Sequence, residues 1–181
     1  FNEFGLTGCL TVYNSKLDNT QFEVSAGVCE DSLNIVKSQG NINSILVNEA
    51  TADAVDIDFS NIKIATLQIN NAGNDCLDVS NGKYIIEKAT LTFCGDKGFS
   101  VGESSTFNTS KLFLETADIG ISSKDFSRVK ILEASLKKTT TCTEVKQKKQ
   151  EFGGAYLNIN ELNCNGNNVV DKNSIFVRGN T

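Results

Sequence analysis

A unit of about 22 residues repeats along this chain, and a repeat of that length restricts the fold to stacked architectures. The segments Glu30-Asp31-Ser32-Leu33-Asn34-Ile35, Ala52-Asp53-Ala54-Val55-Asp56-Ile57 and Asn74-Asp75-Cys76-Leu77-Asp78-Val79 superpose with steps of 22 residues. Lys97-Gly98-Phe99-Ser100-Val101 keeps the apolar pair after another 22, and Asp118-Ile119-Gly120-Ile121 matches after 20. Leu10 and Val12 fit one unit earlier, Leu157 and Ile159 two units later, and Ile175 and Val177 at the end. The unit between would pass through Thr141 to Val145, where the match is weak.

Within each unit the apolar residues alternate, as in Ile62-Lys63-Ile64 or Leu112-Phe113-Leu114. That period of two marks short strands with one face inward. Asn, Gly, Asp and Ser separate the strands, and no stretch carries a long helical period. Segments this short cannot bury themselves alone, but coils stacked about 4.8 Å apart share one core. The reading is all-β: a right-handed parallel β-helix of about eight rungs, one domain over residues 1–181. Its predicted inward files are Leu33, Val55, Leu77, Phe99, Ile119 and Ile35, Ile57, Val79, Val101, Ile121. The first rung starts within about nine residues and shows no capping helix, which points to excision from a larger protein, an end sealed by a partner, or a short irregular cap of residues 1–8. The lysine-rich stretch 137–153 would leave the coil as a solvated loop or an anionic contact site.

The absences agree with this fold. Pro, which removes a ladder donor, does not occur among the 181 residues. His is also absent, so catalysis would have to run on carboxylates, Lys or Cys. With no Met, Phe1 is no initiator position, which points to a mature product or a piece cut from something longer. A net charge of -5 argues against a nucleic-acid partner, and no apolar run reaches membrane-span length. The cysteines Cys9, Cys29, Cys76, Cys94, Cys142 and Cys164 fall in pairs 20, 18 and 22 residues apart, about one rung each. They read either as three rung-to-rung disulfides of an oxidising compartment or as buried free thiols. The Cys76–Cys94 spacing fits the repeat least well. No zinc-ligand spacing appears.

Acidic residues form files of their own. Asp31, Asp53 and Asp75 share one position, with Asp96 and Asp118 one residue out of register, while Asp56 and Asp78 share another and are followed by Ser100. Like charges stacked this closely raise each other's pKa unless something compensates. Acceptance of backbone N–H groups at the turns is one compensation. Calcium between carboxylates is another, and the one cofactor these files suggest. A polar groove of Asp53, Asp75, Asp96, Lys97 and Lys124 along one face is the binding alternative. Asp96, Lys97 and Glu103 would pair with Lys124 and Asp125 one rung on.

The run from Asp53 to Lys124 resembles the pectate-lyase-like superfamily of parallel β-helices. Its motif order is similar to that of polygalacturonase-type glycoside hydrolases. The carrying stretches are Asp53-Ala54-Val55-Asp56, Asn74-Asp75, Gly95-Asp96-Lys97-Gly98 and Gly120-Ile121-Ser122-Ser123-Lys124. The resemblance implies Asp53 and Asp75 as an acid/base pair and Lys124 as a binder of substrate carboxylate. Asn74 stands where that family has the first acid of a pair, Lys97 where it has His, and Ser122 where it has Arg. From about residue 30 onward the chain also resembles bacterial cell-envelope β-helix repeat proteins, most specifically in Gly95-Asp96-Lys97-Gly98-Phe99-Ser100-Val101-Gly102-Glu103. That likeness implies a surface or envelope location.

Three functions therefore stand as expectations. The first is a non-catalytic extracytoplasmic module, a rigid spacer or a surface that binds a glycan or a neighbouring domain. The second is a polysaccharide hydrolase or lyase using Asp53 and Asp75. The third is a unit that associates with itself end to end. The binding residues of the first would be Asp31, Asp56, Asp78, Asp96, Lys97 and Glu103.

Overall fold

The structure, a computed structural model, describes residues 7–179. Its short strands are β1 (Gly8–Tyr13), β3 (Asp31–Val36), β5 (Asp53–Asp58), β7 (Leu77–Ser80) and β9 (Lys97–Val101). They alternate with long strands β2 (Lys16–Gly27), β4 (Gln39–Ala50), β6 (Asn61–Ala72) and β8 (Lys83–Cys94). In β10 (Thr106–Lys124) and β11 (Arg128–Lys146) a long arm runs on into the next short arm, and β12 (Tyr156–Asn163), β13 (Asn167–Val170) and β14 (Ile175–Arg178) complete the chain. Every pairing is parallel. Short arms stack on short arms and long arms on long arms, giving a β-solenoid of about eight coils with no helix among the described residues. Among the described residues there is therefore no helix long and apolar enough to cross a membrane.

The burial string of β5 explains how a coil turns. Along Asp53-Ala54-Val55-Asp56-Ile57-Asp58, two consecutive buried residues interrupt the alternation. The ladder registers Asp53 and Val55 to the next coils but skips Ala54. The strand kinks there, so Asp53, Asp56 and Asp58 all face outward while Ala54, Val55 and Ile57 face the core. Two further corners use left-handed backbone. One file of positive φ holds Asn14, Lys37, Phe59 and Asn81, and another holds Ala26, Glu49, Asn71, Phe93, Thr116 and Lys138.

The inward files are nearly inaccessible. Leu33, Val55, Leu77, Phe99 and Ile121 stack in one of them, each at most 1% exposed. The repeat step across this junction is 22, not 20: Ile121 sits on Phe99, and Ile119 sits on Lys97. A slip of two residues preserves the in/out alternation, so periodicity alone cannot detect it. The second file continues from Val101 to Ser123 and then Val145. Ser123, buried and 2.8 Å from the Ser127 hydroxyl, is the polar interruption that disguised the register. The weakly matched rung at Thr141 to Val145 keeps the ladder to the preceding coil, with Thr143 on Ile121, and its register shifts between Thr141 and Thr143 on the following side. β11 holds to the ladder as far as Lys146, so only about residues 147–155 leave it. The proposed cap at residues 1–8 lies largely outside the described residues.

A serine lines the corner before six of the eight long arms, Ser15, Ser38, Ser60, Ser105, Ser127 and Ser174, with Gly82 and Ala155 at the other two. The Ser38 hydroxyl donates to Val36 O of its own coil and accepts the Ser15 N–H of the coil before, both at 3.0 Å. Ser60 repeats the pattern with Asp58 O (2.7 Å) and Ser38 N–H (2.9 Å). Backbone groups at a corner lie off the strand ladders, and these hydroxyls satisfy them.

All six cysteines are paired, Cys9–Cys29, Cys76–Cys94 and Cys142–Cys164. Cys9, Cys76 and Cys142 occupy one file at the start of the short arms, shared with Ser32, Ala54, Gly98 and Gly120. Each partner lies on or just beyond the long arm that follows in the same coil. The bridges therefore close single coils, the first, fourth and seventh, rather than joining successive rungs. A separation of 18 suits Cys76–Cys94 because a bridge within one coil omits the residues of its last corner.

Candidate functional site

The kink at the start of each short arm gathers three polar files on one outward face. The first runs Asp31, Asp53, Asp75, Lys97. The second runs Asn34, Asp56, Asp78, Ser100, Ser122, Glu144, and the third Val36, Asp58, Ser80, Gly102, Lys124, Lys146. The face is acidic over the second to fourth coils, and lysines enter from the fifth onward.

Most of these groups already have partners within the chain. Asp53 Oδ1 accepts the Asp75 backbone N–H at 2.8 Å and the Asn74 carboxamide at 2.7 Å. Asp75 Oδ1 accepts the Lys97 N–H at 3.0 Å, with Lys97 Nζ at 3.3 Å. The carboxylates of this file thus serve as acceptors for the backbone of the next coil. Lys97 ends the acidic run and also pairs with Asp96. Burial works to lower the Lys97 pKa, but the bonds to Asp96 and the charge of Asp75 outweigh it and raise it.

The second and third files carry the electrostatic strain. Burial, then the charges of Asp58, Asp31 and Asp78, push the Asp56 carboxyl up to about 9. Asn34 Nδ2 donates to Asp56 at 3.2 Å, and Asp56 and Asp58 share a side-chain hydrogen bond. Asp58, raised by burial, accepts the Ser80 hydroxyl. Asp78 rises to about 6 through burial, against the opposing charge of Lys124. Burial also raises Asp31 to about 6, although the Thr7 hydroxyl donates to it. Burial raises Asp75 too, against the pull of Lys97. Like charges stacked this closely oppose one another's ionisation, so Asp56 keeps its proton well above the ordinary carboxylate range.

Its lysines are spoken for. Lys124, only 6% exposed, donates to the Ser100 hydroxyl at 2.7 Å. Lys146 pairs with Glu144 at 2.8 Å, and Glu144 also accepts the Ser122 hydroxyl at 2.9 Å. Lys149, on the excursion that follows β11, pairs with Glu103. Asp125 anchors that excursion by accepting the Lys148 and Lys149 N–H groups at 2.6 and 2.9 Å.

The structure thus brings Asp31, Asp53, Asp56, Asp75, Asp78, Asp96 and Lys97 onto or beside one face. Lys124 lies on the same face, two files from Asp53 and Asp75. The pairing of Asp96, Lys97 and Glu103 with Lys124 and Asp125 does not form, because the register sets Lys97 over Asp75 and Glu103 beneath Lys149. Sequence reasoning missed Asp58, Asn34 and Glu144, and placed Lys149 in the lysine-rich stretch without its partner Glu103. The first two were legible as outward neighbours of Asp56 at period two and at the 22-residue step.

Among the described residues no three Cys, Asp or Glu side chains converge to hold a metal ion. Two shallow concavities lie away from the acidic face. One of about 620 Å3 runs past Lys88, Lys111, Glu133 and Phe113, and another of about 770 Å3 past Lys16, Lys63 and Lys83. Set against known protein families, curated proteins and solved structures, the chain matches none.

Proposed function

We propose that the chain is a non-catalytic β-solenoid module working in an extracytoplasmic, oxidising setting. It acts as a rigid spacer whose short-arm face binds a glycan or a neighbouring domain at a cell surface or envelope. The observation that carries this reading is the placement of the disulfides on the first, fourth and seventh coils. Bridges at that interval brace the length of a rod, and disulfides persist where thiols are not kept reduced. The acidic face supports a structural or binding role because Asp53 and Asp75 are engaged with backbone and Lys97 rather than standing free across a cleft.

A second reading, cleavage of an acidic polysaccharide, draws on the proton that Asp56 holds beside Asp58. A general acid needs such a raised carboxyl. Incubation with acidic and neutral polysaccharides tests both. Retention on the polymer without new reducing ends supports the module. Turnover by the native chain that disappears in Asp53→Asn or Asp56→Asn supports the enzyme and overturns the first reading.

A further inference from the structure

Two outward files on the first half of the long arms hold no acid from the second coil to the sixth. Gln39, Asn61, Lys83, Thr106 and Arg128 stack in one, and Asn41, Lys63, Ile85, Asn108 and Lys130 in the other. Lys16 and Asp18 precede them on the first coil. Residues two apart on a strand, such as Lys83 and Ile85, point the same way, so the two files form one stripe. Every position but Ile85 carries a cation, a carboxamide or a hydroxyl, in a chain whose 22 acids outnumber its 17 Lys and Arg. Little within the chain answers this stripe. Among the described residues Lys83 and Lys130, both exposed, have no acidic partner. Lys63 reaches Glu87 at 2.7 Å, a pair about half exposed on both sides and so of little strength. Arg128 lies over the Tyr156 ring at 5.1 Å, which holds its guanidinium in place. The concavity of about 770 Å3 follows the first half of the stripe, past Asn41, Asn61, Lys63 and Lys83.

We propose that this stripe binds an acidic polysaccharide laid along the solenoid axis. Its carboxylate or sulfate groups meet Lys63, Lys83, Arg128 and Lys130, and its hydroxyls meet the carboxamides of Asn41, Asn61 and Asn108. Five coils at the strand spacing give a track of roughly 20 Å, which suits a chain of sugars better than a single one. Cations recur along it with amides between them, matching a polymer on which charges alternate with hydroxyls. A protein partner wants an apolar centre, and the stripe offers only Ile85. A single-stranded nucleic acid wants open aromatic faces, and Arg128 covers the ring of Tyr156. The acidic short-arm face repels such a polymer, so the two faces serve different ligands. The inference goes beyond the proposed function and stands whether or not the short-arm face binds anything.

Retention of the full chain on immobilised alginate, a uronate polymer, and on dextran sulfate tests it, with uncharged dextran as the control. The native chain should bind at least one acidic polymer and leave it as salt rises. Lys83→Glu/Lys130→Glu should weaken binding about tenfold at low salt. Lys148→Glu/Lys172→Glu, an equal change of charge at exposed sites elsewhere, should leave it within about twofold. Asn61→Ala/Asn108→Ala should weaken it about threefold with the salt dependence unchanged, a result that attraction by charge alone would not give. Lys83→Gln/Lys130→Gln keeps polar side chains at both positions and replaces the reversed pair if that pair fails to fold. Preference for alginate assigns the carboxylate, and preference for dextran sulfate the sulfate. A native chain that passes both acidic polymers overturns the proposal. So do equal retention on dextran, equal weakening by the Lys148/Lys172 variant, which would leave net charge as the cause, and tighter binding to vesicles of anionic lipid than to either polymer, which would make the stripe a membrane contact.

Discussion

The Tyr84 hydroxyl stands in the space above Gly82 that a serine side chain fills on neighbouring coils. A Cβ on Gly82 would lie 2.3 Å from that hydroxyl and 2.2 Å from Ser60 O. The phenol, almost wholly buried, sits 2.6 Å from Ser80 O and 2.9 Å from Ile57 O. Burial and the surrounding aspartates hold its pKa above the ordinary tyrosine range. Tyr84 reaches the corner from inside the core and replaces the serine that Gly82 lacks. Ser60-Asn61-Ile62 and Gly82-Lys83-Tyr84 are thus two solutions to one corner.

Tyr84→Phe should therefore cost about 1–3 kcal/mol in denaturant unfolding, the penalty for leaving buried carbonyls unmet. Gly82→Ser alone should also destabilise. The double change Gly82→Ser/Tyr84→Ile rebuilds the pattern of the preceding coil. It should be less damaging than the sum of its parts by on the order of 1–2 kcal/mol. Strict additivity in that cycle would separate the two residues.

The acidic face makes stability depend on pH in the direction opposite to ordinary surface carboxylates. Asp56 moves from 3.8 in the free carboxyl to about 9 on folding. Between those values the folded chain keeps a proton that the unfolded chain has released. Stability is therefore full below about pH 4 and declines as pH rises toward 9. Asp31 and Asp78, raised to about 6, add to the lower part of that window. The melting temperature should be higher at pH 5 than at pH 8.5. Asp56→Asn, whose carboxamide still accepts from Asn34, should flatten the slope and stabilise the alkaline side by about 2 kcal/mol. A melting temperature that climbs toward pH 8.5 in the native chain would contradict the buried-proton account.

What could be read from the sequence depended on whether a structural file keeps one residue type. Val55, Leu77 and Phe99 announced their file through shared hydrophobicity, and Asp53 and Asp75 through identity. The Asp58 file did not, because it passes through Val36, Ser80 and Gly102, which have nothing chemical in common, and Asp58 could be reached only through its period-two relation to Asp56. The misplaced Ile119 shows a different limit: an even slip is silent in an alternating pattern, and only the ladder resolves it. The pairing of Lys149 with Glu103 was out of reach for a third reason. Lys149 arrives from the one excursion without a period, and Asp125 places it through backbone N–H groups that no side-chain pattern reports. The serine corner was legible at 22- and 23-residue steps, yet Gly82 and Ala155 break the series where other groups take over.

The corner file of Ala26, Glu49, Asn71, Phe93, Thr116 and Lys138 is left-handed at every coil it crosses. Only Asn71 is a residue type that tolerates this readily. Thr116, at φ 72°, is β-branched, and its buried hydroxyl has no hydrogen-bond partner. Both features are unfavourable. Thr116→Asn should stabilise the fold by about 1 kcal/mol and raise the melting temperature by a few degrees. Asn71→Thr, the reverse exchange two coils earlier, should lower it by a similar amount. If both changes were neutral, the coil would be relaxing its corner at no cost.

The three bridges should open in an order set by access to sulfur. Cys9 is exposed and Cys29 half-buried, whereas Cys76 and Cys94 are at most 3% exposed and Cys142 is 1% exposed. A thiolate must reach a sulfur atom to exchange with it, so a graded thiol titration with alkylation should label Cys9 and Cys29 first and Cys76 and Cys94 last. Opening the first bridge loosens the coil it closes, and hydrogen exchange should rise in β1 and β2 while β5 to β8 keep their protection. Removing the central bridge is a larger change. Cys76→Ala/Cys94→Ala releases an 18-residue loop, for which loop entropy gives about 3 kcal/mol, a melting temperature lower by about 5–10 °C. Labelling of Cys76 before Cys9 would mean that the middle of the solenoid opens more readily than its end, against the burial on which this order rests.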